Sequence, residues 1–166
     1  ENAYGYLSLD TIYYNFELKL DFLQVSDGNS GIFVRSNIDA TSITGWQVEI
    51  APRGYSTGGI YESNGRGWLA KPSLDAPDVE DGEWNTMRLR VVDDRIPTWL
   101  NQNTMIDLPD SNFGAGRGRL ALQIHDGGNV HLNWRNIQIL ELPQPPSPLQ
   151  PPSFPPPSSP PPTSPL

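Results

Sequence analysis

No cysteine occurs in the 166 residues, so neither a disulfide framework nor a thiolate metal centre is available. Positive charge is also scarce: 11 Lys and Arg face 19 Asp and Glu, a formal net charge of −8 with no basic run. That balance argues against nucleic acid and anionic membrane surfaces as partners. No apolar stretch approaches the ~18 residues that would span a bilayer. The opening ENAYGYLSLD lacks the basic start and apolar core of a signal peptide, so none is expected within the chain. Helical periodicity is missing too, because no window of about a dozen residues carries apolar side chains at three-four spacing. Proline is sparse through most of the chain, with Pro52, Pro72, Pro77, Pro97 and Pro109 alone before residue 143.

The remaining 13 of the 18 prolines crowd into Pro143–Leu166. PPSFPPPSSPPPTSPL offers almost nothing to bury and reads as an extended, disordered, polyproline-II-like linker over 143–166. The folded unit is then expected over 1–142, long enough to bury a core without staples. A linker of this kind implies a further domain beyond it. Its Ser-Pro and Pro-Pro runs resemble hydroxyproline-rich segments of extracellular matrix proteins, which points to an extracellular, cell-wall or periplasmic location.

What fills 1–142 is alternation. Tyr14–Val25 sets Phe16, Leu18, Leu20 and Phe22 against Asn15, Glu17, Lys19 and Asp21, a period of two. Gly31–Asn37 alternates Ile32 and Val34 with Phe33 and Arg35. Gly45–Ala51 places Trp46, Val48 and Ile50 on one face, with Gln47 and Glu49 on the other. TGGIYE, the strand pair WNTMRLRVVDD and IPTWLNQ, and GRLALQIHDGGNVHLNWRNIQILEL follow. The last reads as a hairpin about an Asp126–Asn129 turn, with Leu120, Leu122 and Ile124 core-facing and Ala121, Gln123 and His125 opposite. Many short antiparallel strands separated by Gly- and Asn-rich turns predict an all-β fold, an antiparallel β-sandwich or jelly roll. Leu18, Leu20, Ile32, Val48, Leu122 and Ile124 are its expected core.

The residues out of phase with that core carry the chemistry. Arg35, Gln47, Glu49, Gln123 and His125 are expected to converge on one concave sheet face. Trp99 and Asn101 from IPTWLNQ join them, as do Tyr61, Arg66 and Trp68 from GIYESNGRGWLAKP, which reads as a loop at the rim. Rings that stack on the apolar face of a pyranose, beside amides and charges that take its hydroxyls, suit a carbohydrate partner. Plainer readings stand beside this one. Glu49 and Arg35 also read as a cross-strand ion pair, and His125 as a hydrogen-bonded histidine at a strand end. Trp46 and Trp84 read as core, and His131 as surface. Asp93-Asp94 and Asp78, Glu80, Asp81 read as solvated loop charges, without the spaced oxygen ligands of a calcium site.

GNSGIFVRSN, GWQVEIAP, TGGIYE followed by GRGWL, EWNTMRLRVVDDRIPTWLNQ and the closing RNIQILEL occur in one order. Together they resemble the 3-keto-disaccharide hydrolase domain family, also described as 3-keto-glucoside lyase / 3-keto-2-hydroxy-glucal hydratase. The resemblance covers roughly Tyr14 to Leu142 and implies a concanavalin A-like lectin/glucanase fold. Many relatives place Gly after the Asn of Trp-Leu-Asn, where this chain has Gln102-Asn103, and the family normally begins with a longer N-terminal section. The implied activity is cleavage of 3-keto-glucosides by elimination and hydration. The alternative is a carbohydrate-binding module without turnover, joined through the linker to another domain. An ordinary glycosidase needs two carboxylates, and the expected face offers only Glu49. A 3-keto sugar removes that need, since its ketone acidifies the neighbouring C–H and one base suffices. His125 fits the base or a ligand of a divalent metal, Glu49 the alternate base or second ligand, and Arg35 the group that holds the enolate oxygen.

Overall fold

The computed structural model describes residues 5–113, 116–125 and 130–144. The expected Asp126–Asn129 turn and almost all of the expected linker lie outside them. Among the described residues the chain forms eleven strands and no helix. They are β1 (Gly5–Ser8), β2 (Phe16–Gln24), β3 (Ser30–Asp39), β4 (Ser42–Ile50), β5 (Ile60–Ser63), β6 (Gly67–Ala70), β7 (Asn85–Val91), β8 (Arg95–Leu100), β9 (Asn103–Pro109), β10 (Arg119–Ile124) and β11 (Leu132–Glu141). One sheet has the order β1-β10-β3-β4-β5-β6 and the other β11-β2-β7-β8-β9. Every pairing is antiparallel, and the two sheets pack as the sandwich that the alternation predicts.

The inner faces follow the period of two. Phe16, Leu18, Leu20 and Phe22 of β2 meet Ile32, Val34, Val48, Ile50 and Ile60 of the opposite sheet in one buried cluster. The polar phase of β2 faces outward, where Glu17 accepts from Arg88 Nε at 2.8 Å. A half-exposed pair of this kind adds little stability. The six-stranded sheet is also buried on part of its outer face. There Phe33, Ile43 and Ala121 form a second small cluster, with Tyr6 edge-on to Phe33 at 5.7 Å between ring centroids.

Three expectations need correction. The two strands of Gly118–Leu142 are not a hairpin: β10 pairs with β1 and β3, whereas β11 pairs with β2 in the other sheet. The connection therefore crosses between layers, and Trp134 packs inside on Phe22 at 6.2 Å. Ile124 is not core but 55% exposed, because its cross-strand partner is Gly5, which has no side chain to cover it. GIYESNGRGWLAKP is itself a hairpin, β5 and β6 around the Asn64–Arg66 turn.

Candidate functional site

Cross-strand register brings the polar phases of several strands into rows. Phe33 opposes Gln47, Gln47 opposes Tyr61, and Tyr61 opposes Trp68. In the neighbouring row Tyr6 opposes Gln123 and Gly31 opposes Glu49, with Gln123 one step beyond the Leu122–Ile32 pair. The outer face of the six-stranded sheet thus holds an open pocket of about 540 Å³, within the usual range for small-molecule sites. Asn29, Gln47, Glu49, Gln123 and His125 are among its lining residues, as are Tyr61 and Trp68. The β3–β4 and β5–β6 turns meet above it, where Asn64 Nδ2 donates to the Ile43 carbonyl oxygen at 2.9 Å.

Gly31 shapes the floor. A Cβ at this position would come within 2.5 Å of Gln47 Cγ, so only glycine lets the Gln47 side chain lie across β3. Lying there, Gln47 Nε2 donates to the Ser30 carbonyl oxygen at 3.3 Å and to Glu49 Oε2 at 2.8 Å. Asn29 Nδ2 donates to the other carboxylate oxygen, Glu49 Oε1. Burial is the main influence on Glu49 and pushes its pKa up to about 7, against the opposing pull of the Asn29 bond, the His125 charge and the Gln47 bond. A carboxyl half-ionised near neutrality, held at both oxygens, is suited to accept and return a proton.

Of the residues expected at the site, Gln47, Glu49, Tyr61, Trp68, Gln123 and His125 line this pocket. Tyr61 and Trp68 stand edge to face with centroids 5.5 Å apart, and Lys71 Nζ lies 4.7 Å from the Trp68 ring centre. Arg35, Arg66, Trp99 and Asn101 are elsewhere, each for a physical reason.

A β-bulge interrupts β3 between Val34 and Asn37, and Arg35 takes a φ of 47°. The extra residue breaks the alternation and re-aims the side chain into the fold. Arg35 there donates to the Tyr14 carbonyl oxygen at 3.0 and 3.1 Å, to that of Asp93 at 2.8 Å, to that of Phe113, and to Asn15 Oδ1 at 3.2 Å. Its guanidinium also lies 4.4 Å from the Phe113 ring centre. It neither pairs with Glu49 nor reaches the pocket.

Arg66 is held by Glu62 and by Asp110 Oδ2, the latter at 2.5 Å, in an exposed cluster beside the β5–β6 turn. Trp99 belongs to the five-stranded sheet, where Arg88 stacks over it at 4.3 Å. Asn101, at φ 45°, ties β8 to β7 by accepting from the Thr86 amide and donating to Asn85 Oδ1, both at 2.8 Å.

Sequence reasoning missed Tyr6, Asn29 and Asn64, which all line the pocket. Asn29 was legible as the first residue of Asn-Ser-Gly, while Tyr6 and Asn64 had no signal beyond their place near strand-like sequence. Among the described residues no group of three or more His, Asp or Glu stands where it could hold a metal ion. Glu49 is the one carboxylate among the described residues lining the pocket, and both of its oxygens already accept amide hydrogens. This donor set does not fit a resident divalent cation.

The 3-keto-alpha-glucoside-1,2-lyase-like domain matches residues 1–140. No curated protein matches the chain. Among solved structures, a candidate glycosyl hydrolase from Parabacteroides distasonis is similar at 23% identity and a TM-score of 0.68, over 84% of each chain. The carbohydrate-binding module CBM66 from Bacillus subtilis is similar at 13% identity and a TM-score of 0.65, over 85% of this chain and 84% of the other. Lactose-liganded congerin II is similar at 12% identity and a TM-score of 0.54, over 82% of this chain and 98% of the other. At these identities the likeness establishes the fold, a galectin-like jelly roll.

Proposed function

The chain belongs to the 3-keto-alpha-glucoside-1,2-lyase-like domain family, and on that premise we propose that its pocket cleaves the glycosidic bond of 3-keto-glucosides by elimination and hydration. The observation that carries the reading is Glu49, a single buried carboxyl lifted to a pKa of about 7 on the pocket floor. Ordinary glycoside hydrolysis would call for a second carboxylate across the scissile bond. A ketone at C3 makes one base enough.

In this scheme Glu49 takes the proton from C2 and the electron pair becomes the enolate of C2, C3 and the C3 oxygen. Collapse of the enolate forms the C1–C2 double bond, and the C1–O bond breaks with its electrons leaving on the aglycone oxygen, which picks up a proton. Water then adds at C1, C2 regains a proton, and the sum is hydrolysis. The Tyr6 hydroxyl and the His125 ring belong to the same lining and supply groups able to donate to the enolate oxygen. Arg35, turned into the fold, does not take that part.

The aromatic wall of Tyr61 and Trp68 also suits a binding module that holds a sugar without turnover. One assay separates the two. Aglycone release from a 3-keto-glucoside by the wild-type domain, lost in Glu49→Gln with the fold retained, supports the lyase reading. Binding of the sugar with no release supports the module.

A further inference from the structure

We infer that Arg66 is a positioning residue for the aromatic wall of the pocket. It ties the β5–β6 hairpin to Asp110 at the edge of the sandwich and thereby sets where Trp68 meets a sugar. The role rests on the carbohydrate reading of this pocket and adds a residue that itself touches no ligand. It follows from the strand order. β6 carries Trp68 and is the edge strand of its sheet, four residues long and paired with β5 alone. β9 is an edge strand of the other sheet, and Asp110 follows its last residue. Leu69 and Ala70 of β6 pack on the core, whereas Trp68 lines the pocket and rests on Gly59. A Cβ at Gly59 would lie 3.0 Å from Trp68 Cζ3. The Gly59 carbonyl oxygen in turn accepts from the Glu49 amide at 3.0 Å, so the ring is seated beside the strand that bears the carboxyl.

The β5–β6 turn is built to present Arg66. Glu62 folds back against it, into room that glycine at position 65 leaves, since a Cβ there would come within 2.6 Å of Glu62 Cγ. Glu62 Oε2 accepts from the Arg66 amide at 3.0 Å and from Arg66 Nε. The far end of the guanidinium reaches Asp110, Nη2 to Oδ2 at 2.5 Å and Nη1 to Oδ1 at 3.3 Å, the two-pronged geometry of arginine on a carboxylate. Asp110 is fixed from its own side. Its amide donates to the Asp94 carbonyl oxygen at 2.7 Å, and its Oδ1 accepts from the Asn112 amide at 3.1 Å. The Arg66 bond holds the Asp110 carboxyl below the usual carboxylate range. On the pocket side, Asn64 Nδ2 ties the turn to the Ile43 carbonyl oxygen. Among the described residues Arg66 makes the one ion pair from this hairpin to the second sheet's side of the sandwich. Trp68 lies two residues beyond it, and Tyr61 stands edge to face with Trp68, so the wall moves with the turn.

The test is a double-mutant cycle in the whole chain with nitrophenyl 3-keto-glucoside. Affinity is read as KM where the aglycone is released and by calorimetric titration where it is not. Arg66→Met is expected to weaken affinity about threefold, the scale of an exposed charge pair. It is expected to leave kcat unchanged, because Glu49 keeps its partners. Combined with Trp68→Ala, the same change is expected to cost nothing further, since the ring it positions is gone. Asp110→Asn leaves the turn sequence intact and is expected to reproduce the loss, which keeps the inference testable if Arg66→Met fails to fold. Arg66→Lys keeps a charge without the fork and is expected to recover part of the affinity. An equal loss with and without Trp68 means that Arg66 contacts the sugar directly, and overturns the inference. Unchanged affinity in Arg66→Met or in Asp110→Asn overturns it as well, as does a fall in kcat at constant KM. Binding without aglycone release defeats the lyase reading and leaves this role standing. Binding that ignores Arg66 defeats this role alone, and no binding by the wild-type chain defeats it together with the carbohydrate reading.

Discussion

Gln47 and Glu49 lie two residues apart on β4, on one face of the strand, and the Gln47 amide donates to Glu49 Oε2 at 2.8 Å. The pair converts strand alternation into chemistry. A solvated glutamate on an outer sheet face would be an ordinary acid. This one is 6% exposed, its carboxyl fixed between Gln47 and Asn29 on the pocket floor.

The raised pKa of Glu49 has a stability consequence. A carboxyl whose folded pKa exceeds its unfolded value binds more protons in the native state between the two. Stability then falls as pH rises from about 4.5 to about 7 and stays reduced above that. The expected loss across the window is roughly 3 kcal/mol. Urea denaturation at a series of pH values checks it, with Glu49→Gln as the control in which the slope disappears. If Glu49 is the base, kcat/KM of the wild-type rises over the same range as the carboxylate forms.

Gly31→Ala tests how the floor is built. The new Cβ would press on Gln47 Cγ from 2.5 Å, and moving Gln47 removes one donor from Glu49. A destabilisation of about 1–3 kcal/mol is expected from the overpacking, together with loss of sugar binding by calorimetry. Unchanged binding would mean that Gln47 does not set the carboxylate.

Arg35→Met should act on stability. The carbonyl oxygens of Tyr14, Asp93 and Phe113 lose the guanidinium that donates to them inside the fold, while Asn15 Oδ1 keeps the Asp93 amide. The expected cost is at least about 3 kcal/mol in chemical denaturation. Sugar affinity of the protein that remains folded is expected to match wild type. A specific loss of turnover without a stability change would restore Arg35 to the site.

Two tryptophans give opposite expectations. Trp68 is 40% exposed on the pocket wall, and Trp68→Ala should weaken sugar binding about two- to tenfold. Trp99 lies on the opposite sheet under Arg88, so Trp99→Ala should leave affinity unchanged. Fluorescence or calorimetric titration of both variants with the same sugar decides the matter.

Strand by strand, alternation by itself determined the local answers. Phe16, Leu18, Leu20 and Phe22 on β2, and Trp46, Val48 and Ile50 against Gln47 and Glu49 on β4, all fall where a period of two puts them. A strand has only two faces, so a clear pattern settles which residues share one. The all-β sandwich and most of the pocket floor follow from that.

Alternation is blind to which sheet a strand joins, and only the tertiary structure decided that β10 and β11 part company and that Trp99 sits a layer away from Glu49. A bulge adds one residue to one strand and swaps its faces, which no single-strand pattern registers; at Arg35 it turned an expected ligand-holding cation into a brace for the fold. Glu49 shows the same division. Its face was legible along β4, but its proton affinity depends on burial and on Asn29, at the start of a neighbouring strand, and distance through space sets those interactions, not distance along the chain.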